Sequence, residues 1–242
     1  MEKIDKLEQL LIETTPKINE ENSDYVYNGI VVPRVTVILN KCIHSDSLIY
    51  WANSLGFKHK SYKKTLDRAA MIGSYSHNSI DNFLSTGEDI IIPEMPIEST
   101  NAYKSFLKWF NDINSFASVE VIFHEKQLTC KFFGGTLDGL YRINGKIYLV
   151  DYKTSNHITF KYCLQLAAYK YMLREVLSIN IDGCIVLQLS KNDVSYNEYV
   201  LNFNNIDHLS FINECEHTFL SLVYSYCNII NIENKYGALK WG

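Results

Sequence analysis

Asp138, Asp151, Lys153, Gln165 and Tyr169 are the residues of this chain whose types and spacing could do chemistry. Two carboxylates brought together repel unless a cation sits between them. Carboxylate oxygens suit magnesium or manganese, and magnesium is usually held by one or two carboxylates together with phosphate and water. An ammonium beside such an ion can position a water and stabilise charge on a phosphate. The set therefore points to metal-dependent hydrolysis of a phosphoester.

The elements that must position these residues follow from local sequence. Asn144-Gly145 is the dipeptide most favoured in a two-residue type I′ hairpin, because both central residues take φ > 0. Residues 135–143 and 146–153 read as its strands. Ile143 then pairs with Lys146, and counting back along both strands sets Asp138 opposite Asp151. Their Cβ atoms would lie about 4.5–5.5 Å apart on one face. Lys153 emerges on the face of Asp151 and falls opposite Thr136. Tyr152 points away, with its carbonyl at the edge of the site. Leu137, Tyr148 and Val150 occupy the opposite faces and suit packing against helices. Thr154-Ser155-Asn156 forms a turn, in which Ser155 either touches a phosphate or stabilises the loop. Residues 160–177 read as a helix on which Gln165 and Tyr169 share a face. There the amide and phenol can bind a phosphate or a base edge, while Leu164, Ala167, Ala168, Tyr171 and Met172 pack on the sheet.

An Asp on one strand, Asp-x-Lys on the next and Gln-x-x-x-Tyr on a helix resembles the PD-(D/E)xK nuclease superfamily. More narrowly, the pattern resembles its RecB-like exonuclease branch, which includes phage and mitochondrial genome maintenance exonucleases. A lone Asp-x-Lys is common on surface strands; Asp138 and Asp151 placed by an Asn-Gly turn, with Lys153, Gln165 and Tyr169 following, are much harder to obtain by chance. The resemblance implies a restriction-endonuclease-like core with an N-terminal helical elaboration. It implies a Mg²⁺- or Mn²⁺-dependent deoxyribonuclease with 5′-phosphate products, serving DNA replication, recombination or repair. Single-stranded DNA is the expected partner, with duplex ends second.

The same resemblance reaches upstream. Arg68 to Leu84 is similar to the Arg-Gly-x-x-x-His helix of the branch, with His77 at the position of the metal-ligating histidine. The match departs at Ala69. Outside that context, a helical histidine is more often structural. Glu120 matches the glutamate that opens the sheet in RecB-like members, where it completes the metal shell or orients a water; otherwise it is an edge-strand glutamate. Pro33-Arg34-Val35-Thr36 resembles a segment of the phage and mitochondrial members, and Arg34 is either a phosphate contact or a surface arginine. The metal ligands implied are His77, Asp138, Asp151 and the Tyr152 carbonyl, with Glu120 a further catalytic candidate.

Composition sets the frame. A chain of 242 residues with 47% hydrophobic content suits one compact domain. Residues 1–115 would form a helical region that carries His77 and packs on a nuclease core at 116–242. The net charge of -4 excludes a basic face over the whole surface, so a nucleic-acid surface must be local. Lys58, Lys60, Lys63, Lys64 and Arg68, opposed only by Asp67, are the best candidate for phosphate contact; a solvated helix start is the plainer alternative. The cysteines form no Cys-x-x-Cys pair, so zinc is not suggested, and Cys215 and Cys227 lack the neighbours an iron–sulfur cluster needs. Reduced buried thiols are expected. No apolar run approaches a membrane span, and the acidic N-terminus is unlike a transit peptide. A soluble intracellular protein is expected, cytoplasmic or in a host cell if viral or phage.

The remaining elements are read in order. Residues 3–14 form an amphipathic helix ended by Pro16. Residues 25–40 run extended and then into a helix, and 47–55, 68–84 and 101–113 are helices, with Trp109 exposed off the packed stripe. A loop spans 85–99, and 118–133 supplies the first strand pair. A buried strand at 183–190, its neighbour at 196–203 and a closing helix at 209–230 follow. This order predicts an α/β or α+β core with a mixed central sheet flanked by helices. Three alternatives stay open: a structure-specific endonuclease of the same fold, a catalytically inactive DNA-binding or assembly protein, and an unrelated metal hydrolase of small phosphoesters.

Overall fold

The computed structural model describes residues 25–43 and 46–237, so the helix expected at 3–14 lies outside the described residues. Strands β1 (Val26–Tyr27) and β2 (Ile30–Val31) make a small hairpin over Asn28-Gly29, both at positive φ. Four helices follow: α1 (Val35–Cys42), α2 (Asp46–Phe57), α3 (Tyr62–Thr86) and α4 (Ile97–Phe116). Then come β3 (Val119–Thr129), β4 (Gly134–Ile143), β5 (Lys146–Lys153), α5 (Phe160–Leu177), β6 (Gly183–Leu189), β7 (Tyr196–Asn202) and α6 (Ile206–Tyr236).

The central sheet has the order β3-β4-β5-β6-β7. All neighbours are antiparallel except β5 and β6, which run parallel with α5 as their crossover. The fold is thus α+β with a mixed sheet. Asn144 and Gly145 take φ 49 and 80, and Ile143 pairs with Lys146, as the turn chemistry requires.

Each face of the sheet buries a separate core. On one side Leu140, Leu149, Cys184 and Val186 pack with α1, α5 and α6. On the other, Tyr141, Val150, Tyr152, Ile185 and Leu187 pack with Ile80 of α3 and with Tyr103, Phe106 and Trp109 of α4. The run at 183–187 is continuously apolar because β6 is covered on both faces there, and Gln188 follows at a cleft. Helices α3 and α4 therefore supply one of the two covering layers, and α1 joins the other.

Three details depart from expectation. Trp109 is fully buried, not exposed, and its Nε1 donates to Glu198 at 2.5 Å, so α4 buries a wider face than one stripe. Residues 119–129 are one long strand paired with β4, not a strand pair; a register shift between Val121 and Phe123 bends it. Leu137 joins the core beneath α5 and α6 instead of the face of Val150, because strict alternation along β4 breaks at Asp138.

Helix α3 is longer than its apolar pattern. Ser61 caps it by accepting from the Lys64 N–H at 3.3 Å, and Gly87 ends it at φ 75. Helices α5 and α6 are stapled by Glu216, buried on α6, which accepts from Lys170 at 2.6 Å and Arg174 at 2.8 Å. All six cysteines are free thiols, and Cys130, Cys184, Cys215 and Cys227 are buried. Among the described residues, no helix is long and apolar enough to cross a membrane.

Candidate metal centre

Strands β4 and β5 pair as far as Gly139 and Val150 and no further, one step short of the two aspartates. Asp138 and Asp151 therefore do not sit as a ladder pair; they lie where the strands part. In that gap Asp138 Oδ2 accepts the Tyr152 N–H at 2.7 Å, so a side chain, not β4 backbone, satisfies the donor. Both aspartates are buried.

Two other elements close on the gap. On β3, His124 pairs with Gly139 and Lys126 with Leu137, which sets Glu125 across from Asp138. Glu125 itself takes φ 43. Helix α3, packed on the sheet through Ile80, brings His77 in from above. His77 Nδ1 lies 3.3 Å from Glu125 Oε1 and 3.6 Å from Asp138 Oδ1, and Nε2 lies 3.2 Å from the Tyr152 carbonyl. One ligand atom each from His77, Glu125 and Asp138 falls within 4.8 Å of the others, so three residues from three elements could hold a metal ion.

The electrostatics fit a cation. Burial pulls the His77 imidazole down, but Asp138 and Glu125 outweigh it and lift the ring to about 9. Both ring nitrogens face acceptors, as an imidazolium requires. Burial pushes the Asp151 carboxyl up to about 6 against the pull of the Lys153 ammonium. Lys153 Nζ donates to Asp151 Oδ1 at 2.8 Å, and its burial penalty is outweighed by Asp151 and Asp138, which hold it charged. Asp151 Oδ2 lies 2.7 Å from the same Nζ, so the ammonium straddles the carboxylate, and Oδ2 meets no other donor. A buried carboxylate oxygen held only by an ammonium keeps a lone pair for a metal ion.

Helix α5 supplies the last pair. Gln165 Nε2 donates to the Tyr169 hydroxyl at 3.0 Å, and both residues are buried. The Tyr169 ring packs against Gly135: a Cβ there would come within 2.6 Å of Cε1. Burial raises the Tyr169 phenol well above its ordinary range, and the nearby Asp138 and Asp151 add to it. Thus His77, Asp138, Asp151, the Tyr152 carbonyl, Lys153, Gln165 and Tyr169 come together.

Other expected residues do not. Glu120 is exposed and paired with Arg142 at 2.8 Å, away from the gap. The strand bends between the two glutamates, and the β3 carboxylate that reaches the cluster is Glu125. Reading Glu125 from sequence needed the β3–β4 register, and the connection at 130–133 carries no turn dipeptide to fix it. Arg34 lies over the Tyr25 ring at 5.7 Å, and the Tyr25 hydroxyl meets Thr136 Oγ1 at 2.7 Å, which places Arg34 at the rim of β4. Lys58, Lys60, Lys63 and Lys64 are exposed, and Lys64 precedes His77 by about 20 Å of helix. Arg68 pairs with Glu98 at 2.5 Å. Ser155 donates to the His157 carbonyl at 3.0 Å and accepts from the Tyr162 hydroxyl at 3.1 Å, which makes it a loop-stabilising residue.

No family model matches this chain, and no curated protein matches it. Among solved structures it is similar to the crystal structure of SSO0001, at 14% identity over 89% of this chain and 84% of that one, with a TM-score of 0.34. A likeness that loose carries no function across.

Proposed function

We propose that this chain is a divalent-metal-dependent deoxyribonuclease of the PD-(D/E)xK type, RecB-like branch, acting as an exonuclease on single-stranded DNA. The observation that carries this reading is the convergence of His77, Glu125 and Asp138 beside the buried Asp151–Lys153 ion pair.

The donor set is an imidazole, carboxylates and one backbone carbonyl. It fits Mg²⁺ or Mn²⁺, with the imidazole favouring manganese. His77, Glu125, Asp138, Asp151 and the Tyr152 carbonyl would hold the ion, which supplies Lewis acidity and a more acidic water. The chain's own residues do the rest. Lys153 holds a positive charge against Asp151, from where it orients the attacking water and offsets charge building on the phosphate. The Tyr152 N–H fixes the Asp138 carboxylate, so its second oxygen stays turned to His77. Gln165 and Tyr169 hold one another, and the phenol stands beside the two aspartates, where it can donate to a phosphate or base edge.

The test is cleavage of end-labelled linear single strands and of circular single strands with Mn²⁺, Mg²⁺ or EDTA, for the wild type and Lys153→Ala. The expected result is metal-dependent shortening of linear strands, intact circles, and a loss of about 10²–10³-fold in the variant. Cut circles would move the protein to the endonucleases. A wild type that binds DNA and cleaves none would replace the enzyme with a binding protein.

A further inference from the structure

Two clefts meet beside the centre. One, of about 230 Å³, runs from His77 and Lys153 to Thr154 and Lys191. The other, of about 250 Å³, continues from Thr154 and Lys191 past Asn156 to Asn192 and Asn197. Lys191 stands on their shared wall, just after β6, and its carbonyl is fixed by Asn101 Nδ2 at 2.9 Å.

The groups along this wall divide into engaged and free. Gln188 is engaged: Nε2 donates to the Ser155 carbonyl at 2.8 Å and Oε1 accepts from Asn197 at 3.2 Å. The half-buried Lys191 ammonium makes no hydrogen bond or ion pair among the described residues. Burial pushes its pKa down, with only partial relief from Glu98. With Glu98 already paired to Arg68, a part-desolvated ammonium gains from any further anion that reaches it. The Thr154 hydroxyl and the amides of Asn156 and Asn192 are likewise without partners among the described residues. Lys191 and Thr154 line both clefts, so the cation and the hydroxyl lie where the two meet, whereas Asn156, Asn192 and Asp193 line only the second. A phosphate is favoured at the junction, beside the Lys191 cation.

Building on the nuclease reading, we infer that this double cleft seats the nucleotide next to the scissile phosphate. Its phosphate lies between Lys191 and Thr154, and its base edge meets the amides of Asn156 and Asn192. Amide side chains suit base edges because each carries both a donor and an acceptor.

The experiment is fluorescence anisotropy of a labelled short single-stranded DNA in EDTA, with the wild type, Lys191→Gln and Lys191→Arg. It is repeated over a salt series and with each linkage in turn made a neutral methylphosphonate. Lys191→Gln is expected to bind about tenfold more weakly. Its salt slope should fall by about 0.7, the share of one single-strand phosphate. One linkage should matter to the wild type and not to Lys191→Gln, and Lys191→Arg should restore binding. Wild-type affinity and slope in Lys191→Gln would overturn the inference, as would an unchanged linkage profile. Because binding is read without cleavage, that failure leaves the nuclease reading standing if the wild type degrades DNA in Mn²⁺. Lys191-dependent binding by a protein that cleaves nothing would keep the cleft and sink the nuclease.

Discussion

His77 is the residue on which the centre's charge balance turns. It stands between Asp138 and Glu125 with both ring nitrogens on acceptors, and those carboxylates raise it to about 9 from 6.5. A raised folded-state value stabilises the fold in full below the unfolded pKa near 6.5, and that stabilisation is lost as pH rises through about 9. In metal-free protein, an NMR titration should therefore find the His77 ring titrating near 9, and denaturant stability should fall across pH 6.5–9 more steeply than in His77→Gln. A ring titrating near 6.5, or identical pH profiles for the two proteins, would contradict that balance. Glu125 shows the limit of sequence at this scale. Counting from the Asn-Gly turn brings Asp138, Asp151 and Lys153 to one end of β4 and β5 but wrongly makes the aspartates a ladder pair, whereas Glu120 and Glu125 lie beyond a strand connection that fixes no count.

At the scale of elements, the decisive feature is that β4 and β5 part just before their aspartates, leaving a gap that α3 and α5 close from opposite sides of the sheet. The strands and α5 were legible because turn chemistry and periodicity are local. The parting of the strands was not, because it depends on a side-chain-to-backbone bond, Asp138 to the Tyr152 N–H, which periodicity does not encode. Two substitutions separate the site from its scaffold. Gly135→Ala should push the Tyr169 ring away and lower cleavage at least tenfold while the protein stays folded, because its new Cβ meets Cε1 at 2.6 Å. Lys170→Met should cost about 2 kcal/mol of stability, since Glu216 would keep only Arg174, and should leave cleavage intact below the melting range. Cleavage assays with thermal melts would check both; the reverse pattern would mean that α5 does not position the site.

Across the whole molecule, the residues that could hold a metal come from both sides of the residue 115 boundary: His77 from the early helices, Glu125 and Asp138 from the sheet, with Asp151 beside them. Those early helices also cover Tyr141, Val150, Tyr152, Ile185 and Leu187. Residues 116–242 expressed alone should thus fail to fold, aggregating through the bared face, and circular dichroism with sedimentation would show it. A folded, monomeric fragment would mean that the sheet needs no second layer. The net charge of -4 fits a molecule whose cationic groups are local, with Lys58, Lys60, Lys63, Lys64 and Arg68 just before and at the start of α3. The most direct test of the account is calorimetric titration of Mn²⁺ into the wild type, Glu125→Gln and Glu120→Gln. Binding by the wild type, at least tenfold weaker in Glu125→Gln and unchanged in Glu120→Gln, is the predicted result. A wild type that binds no Mn²⁺, or a Glu125→Gln that binds it equally well, would contradict the metal centre on which the proposed nuclease rests.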